Sequence, residues 1–311
     1  MSRRRIYLLL SCVVISWGGA FTAIRILVQD ASVFTVSFLR FVLTTLGLVA
    51  VSAVMRPEWR PVERADRGKV VVLALTGVAI YHVSLNYGER FVSADVASLI
   101  VASMPVMVAL LSRFFLKERI GPTKWLGIFV ALTGVVVLIT KGVPGARLEV
   151  ESLGGAAVVA LAPLSWAIYT IVSKPLVSKY GPLPLVTGAM ALGTLMLAPL
   201  GIPAALHDLG GLSLGDWGWL AFLAVACSTF AYAVWFYALE VLSPSEVAVW
   251  VYFVPLAALV WAAVVLDERL TWFIGIGGAL VLAGVVLTER VAVRVDERRA
   301  DEMRATEPAT D

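Results

Sequence analysis

The stretch SADVASLIVASMPVMVALLSRFFLKERIGPTKWLGIFVALTGVVV, residues 93–137, lies without gaps on SPSEVAVWVYFVPLAALVWAAVVLDERLTWFIGIGGALVLAGVVL, residues 243–287. An offset of 150 residues aligns Pro105 with Pro255, Glu118 with Glu268, Arg119 with Arg269, Gly127 with Gly277 and Gly134 with Gly284. Tyr87 and Tyr237 share this register, as do His82 and Tyr232. Further upstream an offset of 149 aligns Ser16-Trp17 with Ser165-Trp166 and Arg25 with Lys174. Apolar segments align readily by chance, but a proline, a Glu-Arg pair and two glycines in one register do not. The chain is an internal repeat.

The repeat is made for lipid. Of the 311 residues 60% are hydrophobic and 15% charged, with mean hydropathy +0.90. Soluble domains carry about a quarter charged residues, and burial in one core saturates as domains grow, so the bilayer is the missing solvent. Runs of about 20 apolar residues are long enough to span it. Ten such runs are expected: 6–28, 33–55, 69–89, 93–115, 122–140, 154–173, 183–206, 217–239, 245–266 and 271–289. The first follows Arg3, Arg4 and Arg5 but exceeds the about 7–15 residues of a signal-peptide core, so it reads as an uncleaved span. Segments 56–68, 141–153 and 207–216 read as loops, and the polar stretch 290–311 as a disordered tail.

Basic residues orient the spans. With the N-terminus inside, cytoplasmic segments hold nineteen Lys and Arg against five outside, and Arg40 lies within the second span. Both termini are therefore expected in the cytoplasm. Five spans per copy is an odd number, so the second copy enters from the opposite side. Its charges agree: loop 56–69 carries five basic residues and its counterpart near 202–218 none, while Lys117 is matched by Asp267 and Lys124 by Ile274. The expectation is an all-α integral membrane protein of two inverted five-helix repeats, 1–145 and 146–289, followed by the tail. That is the pattern of secondary transporters whose substrate sits near the midplane between repeats.

Ser16-Trp17-Gly18-Gly19-Ala20-Phe21, Phe38-Leu39-Arg40-Phe41, the Ala97-Ser98-Leu99-Ile100 stretch through Pro105 to Lys117-Glu118-Arg119, and its echo at Asp267-Glu268-Arg269 resemble the EamA family of the drug/metabolite transporter superfamily. The resemblance covers nearly all of residues 6–289 and is strongest toward amino-acid exporters with an aromatic-lined cavity. It implies a five-plus-five inverted fold in a bacterial inner membrane and export of amino acids or other metabolites. No motif fixes the substrate.

Polar groups at membrane depth are costly and usually face the bundle interior. The third span carries Tyr81, His82, Ser84 and Asn86, with His82 and Asn86 on one face; they line a cavity or serve as interhelical glue. Trp17 and Trp166 hold matching mid-span positions, and Tyr169, Tyr232 and Trp235 are also deep. Aromatic belts favour span ends, which suits Trp59, Trp217, Trp219 and Trp272. The candidate substrate-binding set is Trp17, Tyr81, His82, Asn86, Trp166, Tyr169, Tyr232 and Trp235. Indole and phenol faces suit amphipathic solutes and attract cations such as an α-ammonium group, so amino acids fit, as do organic cations and drugs. Arg40 reads as an anchor or a substrate contact. Pro105 and Pro255 remove a backbone hydrogen bond mid-span, giving a hinge on which one bundle rocks or a static bend.

The two cysteines, Cys12 and Cys227, fall in apolar runs and read as small hydrophobes. No metal, cofactor or nucleic-acid partner is expected, and a monomer suffices. With only His82 and His207 as histidines and no H-E-x-x-H, G-x-S-x-G or P-loop, catalysis is disfavoured. A receptor is a weaker rival. Carboxylates lie near span ends, leaving His82 as the titratable group at depth and the coupling ion open.

Overall fold

The computed structural model describes residues 3–88, 100–141, 153–265, 272–273 and 275–287, and their regular structure is helical. Seven helical runs are long and apolar enough to cross a membrane, and Met104–Phe115, Pro122–Val137 and Gly275–Leu287 are shorter apolar helices. In chain order the elements are α1 (Arg3–Asp30), α2 (Val33–Met55), α3 (Arg64–Ala74, Leu75–Ile80 and Tyr81–Gly88 in succession), α4 (Met104–Phe115) and α5 (Pro122–Lys141). There follow α6 (Leu153–Tyr180), α7 (Pro182–Asp208), α8 (Leu214–Val241), α9 (Pro244–Val265) and α10 (Gly275–Leu287). The expected tail, residues 290–311, lies outside the described residues.

Helix starts follow local chemistry. Ser32 caps α2 by accepting from the Thr35 amide, and Ser213 with Asp216 and Ser243 with Glu246 form reciprocal capping boxes at α8 and α9. Gly181, at φ 82°, makes the turn between α6 and α7 that an L side chain resists. The middle of α3, Leu75–Ile80, and the middle of α8, Val225–Phe230, are π-helical. The two segments fall 150 residues apart, the offset of the sequence repeat. A π turn widens the helix by one residue and frees main-chain carbonyls for other donors.

Packing matches helices of the two copies antiparallel. Phe38 of α2 abuts Gly201 of α7, Thr45 bonds Thr194 at 2.9 Å, and Ser52 bonds Thr187 at 3.2 Å, so numbers rise on one helix as they fall on the other. Helices α5 and α10 do the same through glycine. A Cβ on Gly134 would stand 2.6 Å from the Gly277 carbonyl oxygen, and one on Gly284 would stand 2.5 Å from that of Gly127. Each glycine thus seats the backbone at its repeat-mate's partner. Helix α1 runs parallel to α9: Arg3 pairs with Glu246, Tyr7 lies 5.6 Å from Trp250 between ring centres, and Gly18 abuts the Ala257 backbone.

Loops 56–68 and 207–216 lie at opposite ends of the bundle. Lys179 and Tyr180, just before α7, bind Asp66 at 2.8 Å each. Asp208, at the far end of α7, accepts from the Ser32 amide at 2.7 Å and the Thr35 hydroxyl at 2.6 Å. A helix of 27 residues separates them, about 40 Å at the α-helical rise.

The Arg3 end is tied shut by polar groups. Arg3 pairs with Glu246 at 2.6 Å, Lys124 with Glu118 at 2.8 Å, and the Ser245 hydroxyl donates to Glu118. Lys174 donates to the carbonyls of Leu239 and Leu242 at the end of α8. Burial alone would push the Glu118 carboxyl up, but the Lys124 ammonium and the Ser245 hydroxyl outweigh it and hold it below the usual range. A carboxylate held low stabilises the fold at neutral pH, and its contribution is lost as pH falls through the lowered value. Lys124→Met strands the buried Glu118 charge and is expected to cost roughly 3–5 kcal/mol. Thermal unfolding in detergent should register a drop that the double variant with Glu118→Leu largely recovers.

Pro105 and Pro255 correct the simple mid-span kink. Pro105 occupies the first turn of α4 after a turn at 102–103, and Pro255 follows the 3₁₀ stretch Trp250–Phe253 within α9. The helix is already interrupted before each proline, at positions where its missing N–H costs little.

Candidate functional site

Five of the sequence candidates meet at one place. Trp17 from α1, Tyr81 and His82 from α3, Trp166 from α6 and Tyr232 from α8 line a cavity of about 620 Å³, mouth included. Arg40 from α2 and apolar side chains such as Ile24, Leu85, Met104 and Val254 complete the wall. Ala20, Ile24, Arg40 and Leu85 carry the lining from mid-helix toward the end remote from Arg3. An apolar wall with a few convergent polar groups is the usual make-up of a small-molecule site.

Trp166 is the hub. Its ring centroid lies 5.5 Å from Trp17, 5.2 Å from Tyr81 and 5.4 Å from Tyr232 on the cavity side. Behind it stand Tyr169 at 5.3 Å and Trp235 at 5.4 Å, both buried and neither on the cavity wall. These two sequence candidates thus form a supporting layer. Asn86 lies on α3, and its side chain falls outside the described residues.

Residues aligned by the repeat touch each other here. Trp17 meets Trp166, and His82 Nε2 lies 3.4 Å from the Tyr232 hydroxyl. Together with Thr45 and Thr194 they mark a line on which one copy's residue meets its own counterpart. Yet the chemistry along that line is unequal. Trp17 Nε1 donates to the Cys227 carbonyl at 2.9 Å, within the π segment of α8. The counterpart of Cys227 is Gly77, in the π segment of α3, but the Gly77 carbonyl accepts the Tyr232 hydroxyl at 3.0 Å. Trp166 Nε1 is left buried with no acceptor among the described residues. Gly77 also has no room for a side chain, since the Tyr169 ring fills the place of a Cβ.

Arg40 breaks the pairing further. It is 5% exposed, donates from Nε to the Ser228 hydroxyl at 2.8 Å, and has its guanidinium 5.5 Å from the Phe41 ring centre. Among the described residues neither a main-chain carbonyl nor a carboxylate holds it; Ser228 does. Phe41, which lies 4.7 Å from His82, enters the sequence reading only as part of the Phe38–Phe41 motif, and Ser228 not at all. Ser228 is visible only once the π segment turns its hydroxyl to Arg40. The carbonyls of Gly77 and Cys227 have no sequence signal at all, because main-chain acceptors carry no side chain.

Among the described residues no cluster of three or more His, Cys, Asp or Glu is gathered as a metal site would require. The exposed Trp59, Trp217 and Trp272 sit at run ends, where an interfacial belt lies.

Comparison with known proteins gives a consistent picture. The EamA-like transporter family matches the chain twice, over residues 4–140 and 153–290. An uncharacterized transporter of Archaeoglobus fulgidus is 35% identical over 285 residues, covering 91% of this chain and 98% of its own. A probable terminal-alkyne amino-acid exporter of Streptantibioticus cattleyicolor is 34% identical, covering 89% of this chain and 91% of its own. A solved crystal structure, 19% identical, superposes with a TM-score of 0.76 over 94% of this chain and 99% of that one, which speaks to the fold alone.

Proposed function

Given that the chain belongs to the EamA-like transporter family, and is a multi-pass membrane transporter rather than an enzyme, we propose that it exports amino acids and related small amphipathic metabolites by alternating access through the aromatic cavity. The observation that carries this reading is the meeting of repeat-mates across that cavity, Trp17 with Trp166 and His82 with Tyr232. A chamber on the seam between two copies is where rocking of one against the other exposes a solute to either side.

The architecture proposed with it is ten spans in two inverted repeats, 1–145 and 146–289, both termini cytoplasmic, in a bacterial inner membrane. Antiparallel packing of α2 on α7 and of α5 on α10 supports the inversion, as does the separate family match to each half. With Arg3 in the cytoplasm, the ion-paired end is the inner gate and the cavity faces out. The interruptions before Pro105 and Pro255 then serve as hinges. Amino-acid cargo draws support from the name of the Streptantibioticus relative and from ring faces that suit an ammonium group.

Proteoliposomes loaded with unlabelled amino acids should take up labelled leucine or phenylalanine by counterflow, and His82→Ala should reduce the rate roughly tenfold or more, the loss of one buried polar contact to the substrate. Counterflow no faster than in empty liposomes rejects amino-acid transport. Repeating it with an imposed pH gradient reports whether protons are coupled.

A further inference from the structure

We propose that Arg40 is the anion-recognising residue of the cavity, taking the carboxylate of the substrate, so that the protein selects amino acids over amines that lack one. The inference rests on the transport reading above and adds a residue and a charge class to it.

A charge at membrane depth is costly and is ordinarily paired or faces water. Arg40 is 5% exposed, yet makes no ion pair among the described residues. A guanidinium carries five N–H donors, and among the described residues only Nε has a protein acceptor, the Ser228 hydroxyl. The remaining four belong to a side chain that lines the cavity. A planar fork of unused donors facing a cavity fits a carboxylate, which it binds through two parallel hydrogen bonds. Ser228 fixes the fork by holding its Nε edge.

A second unused donor lies just behind the same wall: the Trp166 ring lines the cavity, and its buried Nε1 has no acceptor among the described residues, because Tyr232 occupies the Gly77 carbonyl that corresponds to the one Trp17 uses. No carboxylate is among the described residues that line the cavity. An organic cation would meet Arg40 with no counter-charge. A zwitterion brings its own anion to Arg40 and leaves its ammonium for the faces of Trp17, Tyr81 and Trp166. The positions matching Arg40 in the second copy are Ala189 and Met190, so among the described lining residues the cavity has one positive pole, which holds the substrate in one orientation.

The test is competition against labelled phenylalanine and leucine counterflow in proteoliposomes of the full-length protein. For the wild type, phenylalaninamide and phenethylamine should inhibit at least roughly tenfold more weakly than phenylalanine, the loss of a charge-assisted contact. Arg40→Gln should weaken phenylalanine roughly tenfold to hundredfold without weakening phenethylamine, Arg40→Lys should keep part of the preference, and Trp166→Phe should cost a few-fold. Were Arg40→Gln to fail to fold by size exclusion, the wild-type competition and Arg40→Lys decide alone. Equal inhibition by acid, amide and amine in the wild type overturns the role of Arg40 and leaves transport standing. So does a folded Arg40→Gln protein with unchanged preference. Counterflow of neither amino acid overturns the transport reading as well.

Discussion

A Trp166→Ala variant is expected to lose nearly all transport. The indole contacts three rings on the cavity side and two behind it, so its removal merges the cavity with the space in front of Tyr169 and Trp235. Buried tryptophans that organise an interface typically contribute 2 kcal/mol or more, roughly 30-fold in affinity. Here the loss extends to the shape of the chamber, since Trp17 then has no repeat-mate to close against. Insertion should survive, because α6 keeps its ties at Lys174, Lys179 and Tyr180. Counterflow by purified protein, alongside its elution profile, separates the two effects. Transport within threefold of wild type would remove Trp166 from the substrate path. Trp166→Phe, which keeps a ring and drops the N–H, should hold transport to within a few-fold of wild type.

The second large effect concerns the fold. Gly284→Leu should abolish the folded protein, because its Cβ would stand 2.5 Å from the Gly127 carbonyl oxygen with the backbone of Ala131 also in the way. Gly134→Leu meets the Gly277 carbonyl oxygen at 2.6 Å and should fail alike. Neither neighbour can yield, since both are main chain, and helices in lipid associate through such close packing. Gly188→Leu is the control: nothing lies within 4 Å of its Cβ position, and the residue is exposed. Size exclusion in detergent should show a monodisperse peak for Gly188→Leu and aggregate for the other two. Monodisperse Gly284→Leu protein would mean that α5 and α10 do not pack as described.

Much of this was legible in the residues themselves. The offset aligning Gly134 with Gly284 and Gly127 with Gly277 anticipated a relation between the last helices of the two copies, and the structure adds that they meet crosswise. Trp17, Trp166, His82 and Tyr232 stood out because large polar-tipped rings at mid-depth are costly to place against lipid tails. What sequence could not supply is depth behind a wall. Tyr169 is three residues from Trp166 and Trp235 three from Tyr232, the same faces by helical spacing, yet both lie one layer back. The two π segments were equally hidden. Each shifts the helix face by a residue, so a regular periodicity misplaces everything beyond Ile80 and Phe230. Ser228, inside the second of them, carries no sequence signal of its own.

The line on which Trp17 meets Trp166 and His82 meets Tyr232 has a wider consequence. In an assembly of two identical chains, a residue on such a line faces a copy of itself, so histidine opposes histidine and any charge arrives doubled. Joining both units in one polypeptide lifts that constraint. A histidine can then oppose a phenol, and one guanidinium can stand without a twin to repel it. A passage with a head and a tail, able to hold a polar molecule one way round, is open only to the covalently linked form.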